Sequence, residues 1–302
     1  MDKELLVYID GIFTPKSKAM VSVFDHGLLY GDGIFEGIRA YNGSVFRLKE
    51  HIDRLYDSAK SIRLKIPLTE HEMTEAVLET LRKNRLKDSY IRLVVTRGAG
   101  DLGVDPSLCK TPTVFIIAEP MASLLGPKEP KVVKVMISSY RRDAVDATSH
   151  EVKSLNYMNS ILAKIEANGV GADDAILLDH RGFVSEASVT NIFIAKDGKI
   201  ATPSAAAGIL HGITRDRLVR LCSDLGLDVE QRDVTTFELT TADEVFLVGT
   251  KSEIQAVGSV SGVKIGTGGA GPLTRRLYQE YSRVVQRPEE GTPIYEAESV
   301  SL

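Results

Sequence analysis

Lys153 has surroundings that favour covalent chemistry. Apolar residues recur after it at positions 155, 158, 161, 162 and 165, a spacing typical of a helix with one buried face. Ser154 or Asn156 can supply the N-cap oxygen, so Lys153 would lie just outside the positive end of the helix dipole. This position favours the neutral amine, which can act as a nucleophile or form a Schiff base. A solvated lysine beside a helix is the alternative.

Glu186 is the second candidate because we expect its neighbourhood to be buried. The apolar residues around it are Phe183, Val184, Ala187, Val189, Ile192 and Phe193. A buried carboxylate has to be paired, since the loss of its hydration is costly. A structural salt bridge would pair it, and so would the cationic ring nitrogen of a cofactor.

Three stretches offer groups that bind phosphate. Gly212-Ile213-Thr214-Arg215 opens a helix that we predict over 214–225, and the free N–H groups of a helix start attract anions. As an alternative, Thr214 only caps that helix. The turn 249–252 is of the same type, and Arg54 is either a phosphate ligand or a surface arginine.

Composition excludes several classes of function. The net charge of -4 gives no sign of a surface for nucleic acids or membranes. The two cysteines, Cys109 and Cys222, form no CxxC pattern, so we expect a cytoplasmic protein without disulfides. The six histidines form no ligand pair, and we predict no metal site. There is no apolar segment of the length that spans a membrane.

The elements that must position these groups fall into two blocks. We predict a small N-terminal α/β domain over 1–121, an interdomain linker over 122–131 and a larger domain over 132–302 that carries Lys153. The polar tail from Arg287 is expected to be loosely held.

Local signals in the first block are specific. The dipeptides Asp10-Gly11 and Asn42-Gly43 predict hairpin turns, and Thr69 with Glu72 predicts a capping box at the start of a helix. Residues 25–33 are predicted to form a glycine-rich turn.

Seven stretches, in this order, resemble the fold-type IV pyridoxal-phosphate enzymes and, among them, the branched-chain amino acid aminotransferases. They are residues 30–39, 51–55, 90–98, 153–157, 185–188, 212–215 and 242–246. The resemblance runs from about residue 5 to 285. It implies a two-domain α/β (α+β) fold, with a small N-terminal α/β sandwich and a larger C-terminal β-rich pseudobarrel with helices. The cofactor would lie between the two domains.

The resemblance also implies roles for residues around pyridoxal 5′-phosphate. Lys153 would form the internal aldimine and then move the proton between the substrate Cα and C4′. Glu186 would face the pyridine nitrogen, and Tyr157 would hydrogen-bond the ring hydroxyl. The implied phosphate ligands are Arg54, Ile213, Thr214 and Thr250.

The implied reaction is reversible, ping-pong transamination of L-leucine, isoleucine or valine with 2-oxoglutarate, as in branched-chain amino acid biosynthesis. The residues implied to contact the substrate are Tyr30, Phe35, Tyr90 and Arg92, with the backbone of Thr250 and Lys251 at the α-carboxylate. Enzymes of this group are homodimers, or multiples of dimers, that complete their sites across a subunit interface.

Three departures from the family pattern leave the substrate open. Ala-Ser-Val-Thr-Asn follows Glu186 in place of a glycine-rich stretch, Lys251 replaces a small residue, and residues 205–208 replace a bulkier loop. D-amino acid aminotransferase and aminodeoxychorismate lyase, both of this fold type, therefore remain alternatives. A protein that binds the cofactor without turnover is a third, although storage alone would not need both Lys153 and Glu186.

Overall fold

The computed structural model describes residues 4–122 and 129–295, which fall into two compact units. The units are made of the described residues of Met1–Ser123, Val152–Asn156 and Val284–Leu302, and of those of Leu124–Glu151 and Tyr157–Arg283. The segment that carries Lys153 thus packs with the first unit, whereas the sequence placed it in the second domain. Residues 123–128 of the predicted linker lie outside the described residues, and the domain boundaries remain a prediction.

Within the described residues, the first unit contains a seven-stranded sheet with helices. The strands are β1 (Leu6–Ile9), β2 (Ile12–Pro15), β3 (Gly33–Tyr41), β4 (Ser44–Phe46), β5 (Ser89–Thr96), β6 (Thr113–Pro120) and β16 (Gly291–Pro293), and the helices are α1 (His26–Tyr30), α2 (Leu48–Ser61) and α3 (Glu70–Asn84). The sheet order is β16-β4-β3-β5-β6-β1-β2. Strand β3 is buried along its whole length, and Ile34 and Ile38 on one of its faces share a core with apolar residues of α2 and α3.

The local signals of this unit are confirmed in most places. The two predicted hairpin turns join β1 to β2 and β3 to β4, and the capping box at Thr69 and Glu72 is present. The predicted turn at 25–33 instead contains α1, because the Asp25 carboxylate accepts from the Gly27 N–H and caps a short helix.

The chain after Arg287 is ordered as far as it is described, so the expected loose tail is wrong up to residue 295. Strand β16 pairs with β4. The side chain of Ile294 is buried in the core of the first unit, and its carbonyl accepts from Arg82 Nε at 2.6 Å. Strand pairing, this hydrogen bond and the burial of Ile294 together hold the polar segment.

In the described residues of the second unit, a nine-stranded sheet is accompanied by helices. The strands are β7 (Val132–Arg141), β8 (Asp174–Leu178), β9 (Val184–Ala187), β10 (Asn191–Lys196), β11 (Lys199–Thr202), β12 (Val229–Gln231), β13 (Glu244–Gly249), β14 (Glu253–Val260) and β15 (Val263–Lys264), and the helices are α4 (Met158–Gly169), α5 (Ile213–Asp224), α6 (Thr236–Thr241) and α7 (Pro272–Val284). The sheet order is β12-β11-β10-β13-β14-β7-β8-β9, with β15 beside β14. The end strand β9 also contacts β10. The sheet therefore curls, which confirms the predicted α/β (α+β) class with a β-rich pseudobarrel.

Helix α4 corrects the prediction made around Lys153. The helix begins at Met158, five residues after the lysine. Its apolar stripe faces outward: Met158 is 65% exposed, Ile161 49% and Ile165 59%. The buried face carries Ser160, Ala163 and Ala167, because a helix that lies close on β7 and β8 has room only for small side chains.

Among the residues that the structure describes, no helix combines the length and the apolar character needed to cross a membrane.

Candidate active site

Lys153 lies in a short extended segment that pairs with the beginning of β3. The Phe35 N–H donates to the Lys153 carbonyl at 3.0 Å, and the Leu155 N–H donates to the Gly33 carbonyl at 2.9 Å. The Lys153 N–H donates to Oγ of Ser58, on α2, at 3.2 Å. The main chain of Lys153 is thus fixed to β3 and α2. It does not stand at a helix N-terminus, and the argument from the helix dipole was wrong.

The Phe35 ring of β3 is close both to Lys153 and to a side chain of the neighbouring strand β5. Nζ of Lys153 lies 4.6 Å from the centre of the Phe35 ring, and the Arg92 guanidinium carbon lies 4.3 Å from the same centre. Nη2 of Arg92 donates to the Tyr90 hydroxyl at 3.1 Å. Gly37 leaves room for that phenol, since a Cβ on Gly37 would lie 2.4 Å from its oxygen. The structure therefore brings three of the predicted substrate residues together with the lysine.

Arg54, the predicted cationic phosphate ligand, is held by a carboxylate that we did not single out from sequence. Glu36 is fully buried, and its two oxygens accept from Arg54 Nε at 2.8 Å and from Nη2 at 2.7 Å. Nδ1 of the buried His51 lies 2.7 Å from Glu36 Oε2. These three side chains, Glu36, His51 and Arg54, form a cluster that we call the Arg54 clamp.

The charges of the Arg54 clamp follow from its contacts. Burial raises the pKa of Glu36, but the charge of Arg54 and the hydrogen bond from His51 lower it more, to about 2. Burial lowers the pKa of His51, against the opposing effect of Glu36. We therefore assign a neutral imidazole that donates from Nδ1, because an ionised carboxylate can only accept. The clamp is one anion paired with one cation and a neutral ring.

Glu186 is buried on β9 of the second unit. Its Oε2 accepts from Asn191 Nδ2 at 2.8 Å and from the Leu210 N–H at 3.2 Å. Its Oε1 lies 3.4 Å from Arg142 Nη2 and 3.3 Å from His150 Nε2. The two shorter contacts come from neutral donors. The salt bridge that we considered as the alternative explanation for Glu186 is present, to Arg142, at the longer distance of 3.4 Å.

Asn191 joins the Glu186 carboxylate to the start of α5. A Cβ on Gly212 would lie 2.0 Å from Asn191 Oδ1, so glycine leaves the space that the amide needs. Gly212 is the N-cap of α5 and makes no side-chain cap bond. The first turn, with Ile213 and the buried Thr214, therefore offers backbone N–H groups that no cap side chain occupies. The predicted helix start is confirmed, and anion binding there stays a prediction.

The remaining predicted residues of this unit lie at two places. Tyr157 is the N-cap of α4, and its ring centre lies 5.9 Å from that of His150. His150 is the same residue that approaches Glu186, so Tyr157 and Glu186 share a neighbour. Thr250 and Lys251 lie in the turn between β13 and β14, where Thr250 is half-buried and Lys251 is exposed.

Tyr30 differs from the other predicted substrate residues of the first unit. It ends α1, and its ring lies 4.9 Å from that of His26 in an edge-on arrangement. Its hydroxyl accepts from the Gly103 N–H at 2.9 Å. In the part of the chain that the structure describes, these contacts tie Tyr30 to the loop around Gly103 rather than to Phe35.

The site residues that sequence reasoning missed are Glu36, His51, Arg142, His150 and Asn191. For Glu36 a signal existed, because it stands between Ile34 and Ile38 on the buried side of a strand, as Glu186 stands among apolar residues. His51 and Arg54 are three residues apart and so lie on one face of a helix. Asn191 lies only five residues after Glu186, at the start of the next strand. For Arg142 we find no such signal, since it reaches Glu186 through a contact distant in sequence.

Comparison with known proteins gives a consistent result. Residues 33–260 match the family model described as amino-transferase class IV. A Methanocaldococcus jannaschii protein assigned as a branched-chain-amino-acid aminotransferase is 52% identical over 290 residues, 96% of this chain and 99% of that protein. The crystal structure of the Escherichia coli branched-chain amino acid aminotransferase is similar with a TM-score of 0.92 and 34% identity, covering 97% of this chain and 100% of the other. The branched-chain amino acid aminotransferase from Thermobaculum terrenum, in its PLP form, gives 0.89 and 32%, covering 98% and 100%.

Proposed function

Because the chain belongs to the class IV aminotransferases, we propose that it transfers the amino group of L-leucine, isoleucine or valine to 2-oxoglutarate, reversibly. The enzymes of this family depend on pyridoxal 5′-phosphate. The observation that carries the proposal is the arrangement around Phe35, whose ring is close to both the amine of Lys153 and the guanidinium of Arg92. An amine, an apolar surface and a cation for carboxylates are the groups that this pair of substrates needs.

The residues present fit the cofactor. The uncapped first turn of α5 suits a phosphate, and the buried carboxylate of Glu186 suits a protonated pyridine nitrogen. When bound, pyridoxal phosphate supplies a carbonyl that takes up the amino group and a ring that accepts the electron pair of the Cα–H bond.

We assign the roles of the chain's own residues on that basis. Lys153 Nζ would take the proton from the substrate Cα and deliver it at C4′ of the cofactor, for which its fixed main chain is an advantage. Glu186 keeps the ring nitrogen protonated, and Tyr157 hydrogen-bonds the ring hydroxyl. The groups that we assign to the phosphate are Arg54, Ile213, Thr214 and Thr250.

A single pocket has to accept both substrates of a ping-pong reaction, and the group around Phe35 has the chemistry to do so. The Phe35 ring is an apolar wall for a branched side chain. Arg92, held by the Tyr90 hydroxyl at 3.1 Å, offers a charge to the second carboxylate of glutamate. We assign the α-carboxylate to the backbone of Thr250 and Lys251, and a wall of the pocket to Tyr30.

We also propose that the enzyme works as a homodimer or a multiple of dimers. Exposed apolar side chains cluster on the first unit: Met20, Val23, Phe24, Leu28, Leu102 and Val104. Two hydrogen bonds hold this surface together, from the Gly100 N–H to the Phe24 carbonyl at 3.2 Å and between His26 and the Asp101 carbonyl at 2.9 Å. Apolar surfaces of this kind mark protein interfaces.

Sedimentation of Leu28→Asp and of Lys65→Asp, an exposed position outside that surface, tests the assembly. We expect only Leu28→Asp to yield monomers, and two variants of equal mass would contradict the proposal.

A cytoplasmic location fits the two thiols. Cys109 and Cys222 are both free, and burial raises the pKa of Cys222 to about 11. Free thiols persist in a reducing compartment. Fractionation of cells that express the full chain tests this location, and recovery outside the cytoplasm would contradict it.

Reduction with borohydride tests the central assignment. The holoenzyme is reduced, digested and mapped for the pyridoxyl peptide, which we expect to contain Lys153. A label on another lysine, or no label, would refute the assignment.

The substrate class is tested by half-reactions with L-leucine, D-alanine and aminodeoxychorismate, followed by the cofactor absorbance. We expect L-leucine to convert the cofactor to its amine form and D-alanine not to. Conversion by D-alanine alone, or turnover of aminodeoxychorismate, would replace the proposed substrate. No conversion by any of the three would favour cofactor binding without turnover.

A further inference from the structure

The Arg54 clamp is a buried ion pair in the core of the first unit, and its presence there calls for an explanation. Glu36 is fully buried, and the side chain of Arg54 is 14% exposed. Replacing a buried ion pair by apolar side chains of similar size is often neutral or stabilising. Stability alone therefore does not explain why β3 and α2 meet through charges at this point.

The clamp connects the same two elements that hold Lys153. Side chains alternate along a strand, so Phe35 and Glu36 point to opposite faces of β3. The Phe35 N–H bonds the Lys153 carbonyl at 3.0 Å, while Glu36 bonds Arg54 of α2. Ser58, one turn after Arg54 on α2, accepts from the Lys153 N–H. Strand β3 and helix α2 thus hold both the main chain of Lys153 and the side chain of Arg54.

We propose that Glu36 is a positioning residue that fixes the guanidinium of Arg54 relative to Lys153, so that the enzyme selects a phosphorylated cofactor. The inference rests on the proposed function, in which Arg54 binds the phosphate. Glu36 fixes the orientation of the planar guanidinium through two parallel bonds, to Nε and to Nη2. His51 of α2 in turn restrains the orientation of the Glu36 carboxylate, because its Nδ1 lies 2.7 Å from Oε2.

Phosphate selectivity is the quantity that separates positioning from mere stability. We define it as the Kd of the apoenzyme for pyridoxal divided by its Kd for pyridoxal 5′-phosphate, both measured by absorbance titration. A general loss of structure weakens both ligands alike and leaves the ratio unchanged. A misplaced guanidinium weakens only the ligand that carries a phosphate.

The main variants are Glu36→Gln, which keeps the shape and removes the charge, and Arg54→Met. We expect Glu36→Gln to lower phosphate selectivity roughly tenfold to a hundredfold, the range expected for a charge-assisted hydrogen bond. Arg54→Met should lower it at least as much. Because Glu36 acts through Arg54, the double variant should be no less selective than Arg54→Met.

Glu244→Gln is the matched control. Glu244, on β13, accepts from the N–H groups of Leu273 at 2.9 Å and Thr274 at 2.8 Å. Its loss should lower the melting temperature and leave phosphate selectivity unchanged. If Glu36→Gln does not fold, His51→Asn removes the ring donor and keeps the ion pair, and we expect a smaller loss of about threefold in the same ratio.

The outcomes separate this inference from the proposed function. If Arg54→Met lowers selectivity and Glu36→Gln does not, the positioning role is refuted and the phosphate role of Arg54 stands. If Arg54→Met leaves the ratio unchanged, that phosphate role fails, and the inference fails with it. Equal weakening of both ligands by Glu36→Gln would show a structural role only and would also overturn the inference.

Discussion

Two buried carboxylates, one in each unit, are held in different ways. Glu36 accepts two bonds from one guanidinium and one from an imidazole, all between 2.7 and 2.8 Å. Glu186 accepts its shorter bonds from an amide and a backbone N–H, at 2.8 and 3.2 Å, while the Arg142 guanidinium and the His150 ring lie at 3.4 and 3.3 Å. A guanidinium holds the first carboxylate, whereas neutral donors make the shorter of the contacts described here for the second.

This difference indicates what each carboxylate does. A carboxylate in short bonds to a guanidinium contributes to geometry, because its charge is already balanced. Glu186 has neutral donors on Oε2 and longer ion-pair contacts on Oε1, and we assign it one further cation, the protonated ring nitrogen of the cofactor. We therefore expect substitution of Glu36 to change the position of the Arg54 guanidinium, and substitution of Glu186 to lower kcat.

Lys153→Ala should have the largest effect, because it removes the group to which we assign proton transfer. We expect kcat to fall by about a thousandfold or more. The melting temperature of the apoenzyme should change little, since the main chain makes the bonds that hold this segment. Steady-state kinetics and calorimetry measure both. Lys164→Ala, at a lysine of α4 to which we assign no role, is the control, and equal losses in the two variants would contradict the assignment.

Glu186→Gln tests the comparison directly, because the same change at Glu36 serves as its partner. We expect Glu186→Gln to lower kcat by roughly a hundredfold, as a neutral amide does not keep the ring nitrogen protonated. Phosphate selectivity should be unchanged. Glu36→Gln should show the reverse, with altered selectivity and a smaller change in kcat. Equal changes of kcat and of phosphate selectivity in the two variants would show that the two carboxylates do not differ in role.

Glu36 should stabilise the folded chain at neutral pH, and this stabilisation should be lost in acid. Its pKa is 4.5 as a free group and about 2 in the fold, so the folded state favours the ionised form. This contribution is complete above pH 4.5 and is lost as the pH falls toward 2, with a size of about 3 kcal/mol.

Urea unfolding of the wild-type chain and of Glu36→Gln at several pH values measures that contribution. The difference in unfolding free energy should shrink as the pH falls from about 4.5 toward 2. A difference that stays constant over this range would show that Glu36 does not titrate as the contacts imply.

Much of the local structure followed from the sequence because it depends on near neighbours. The turns at Asp10-Gly11 and Asn42-Gly43 and the capping box at Thr69 require only residues within a few positions. Glu186 and the start of α5 were found in a similar way, from a buried charge and a helix start, whereas the substrate residues came from the resemblance. The resemblance, rather than spacing, supplied their common cofactor.

Helix α4 shows where such reasoning fails. Its apolar period predicted a buried stripe, but Met158 and Ile161 face outward, while Ala163 and Ala167 lie against the sheet. Periodicity predicts that a helix forms, but it does not predict which face of the helix packs against the sheet. The backbone of Lys153 likewise bonds β3, a strand far away in sequence, and such pairing leaves no local mark.

The Asn191 contact offers the finest test of how the second carboxylate is held. Gly212 has ordinary helical-cap dihedral angles, so an alanine would be strained by space alone. Its Cβ would lie 2.0 Å from Asn191 Oδ1, and we expect Gly212→Ala to lower the unfolding free energy by about 1–3 kcal/mol. It should also lower kcat severalfold, because Asn191 positions Glu186.

Gly169→Ala is the control for Gly212→Ala. Gly169 ends α4 with no atom within 4 Å of an added Cβ, and alanine there should be neutral or stabilising by up to about 1 kcal/mol. Urea unfolding and kcat are measured for both variants. If Gly212→Ala unfolds and turns over like Gly169→Ala, the amide of Asn191 moves freely, and the neutral donors do not hold Glu186 in place. If Gly212→Ala lowers kcat but not the unfolding free energy, the Asn191 amide has moved without a loss of stability. Its hydrogen bond to Glu186 is then the contact on which the reaction depends.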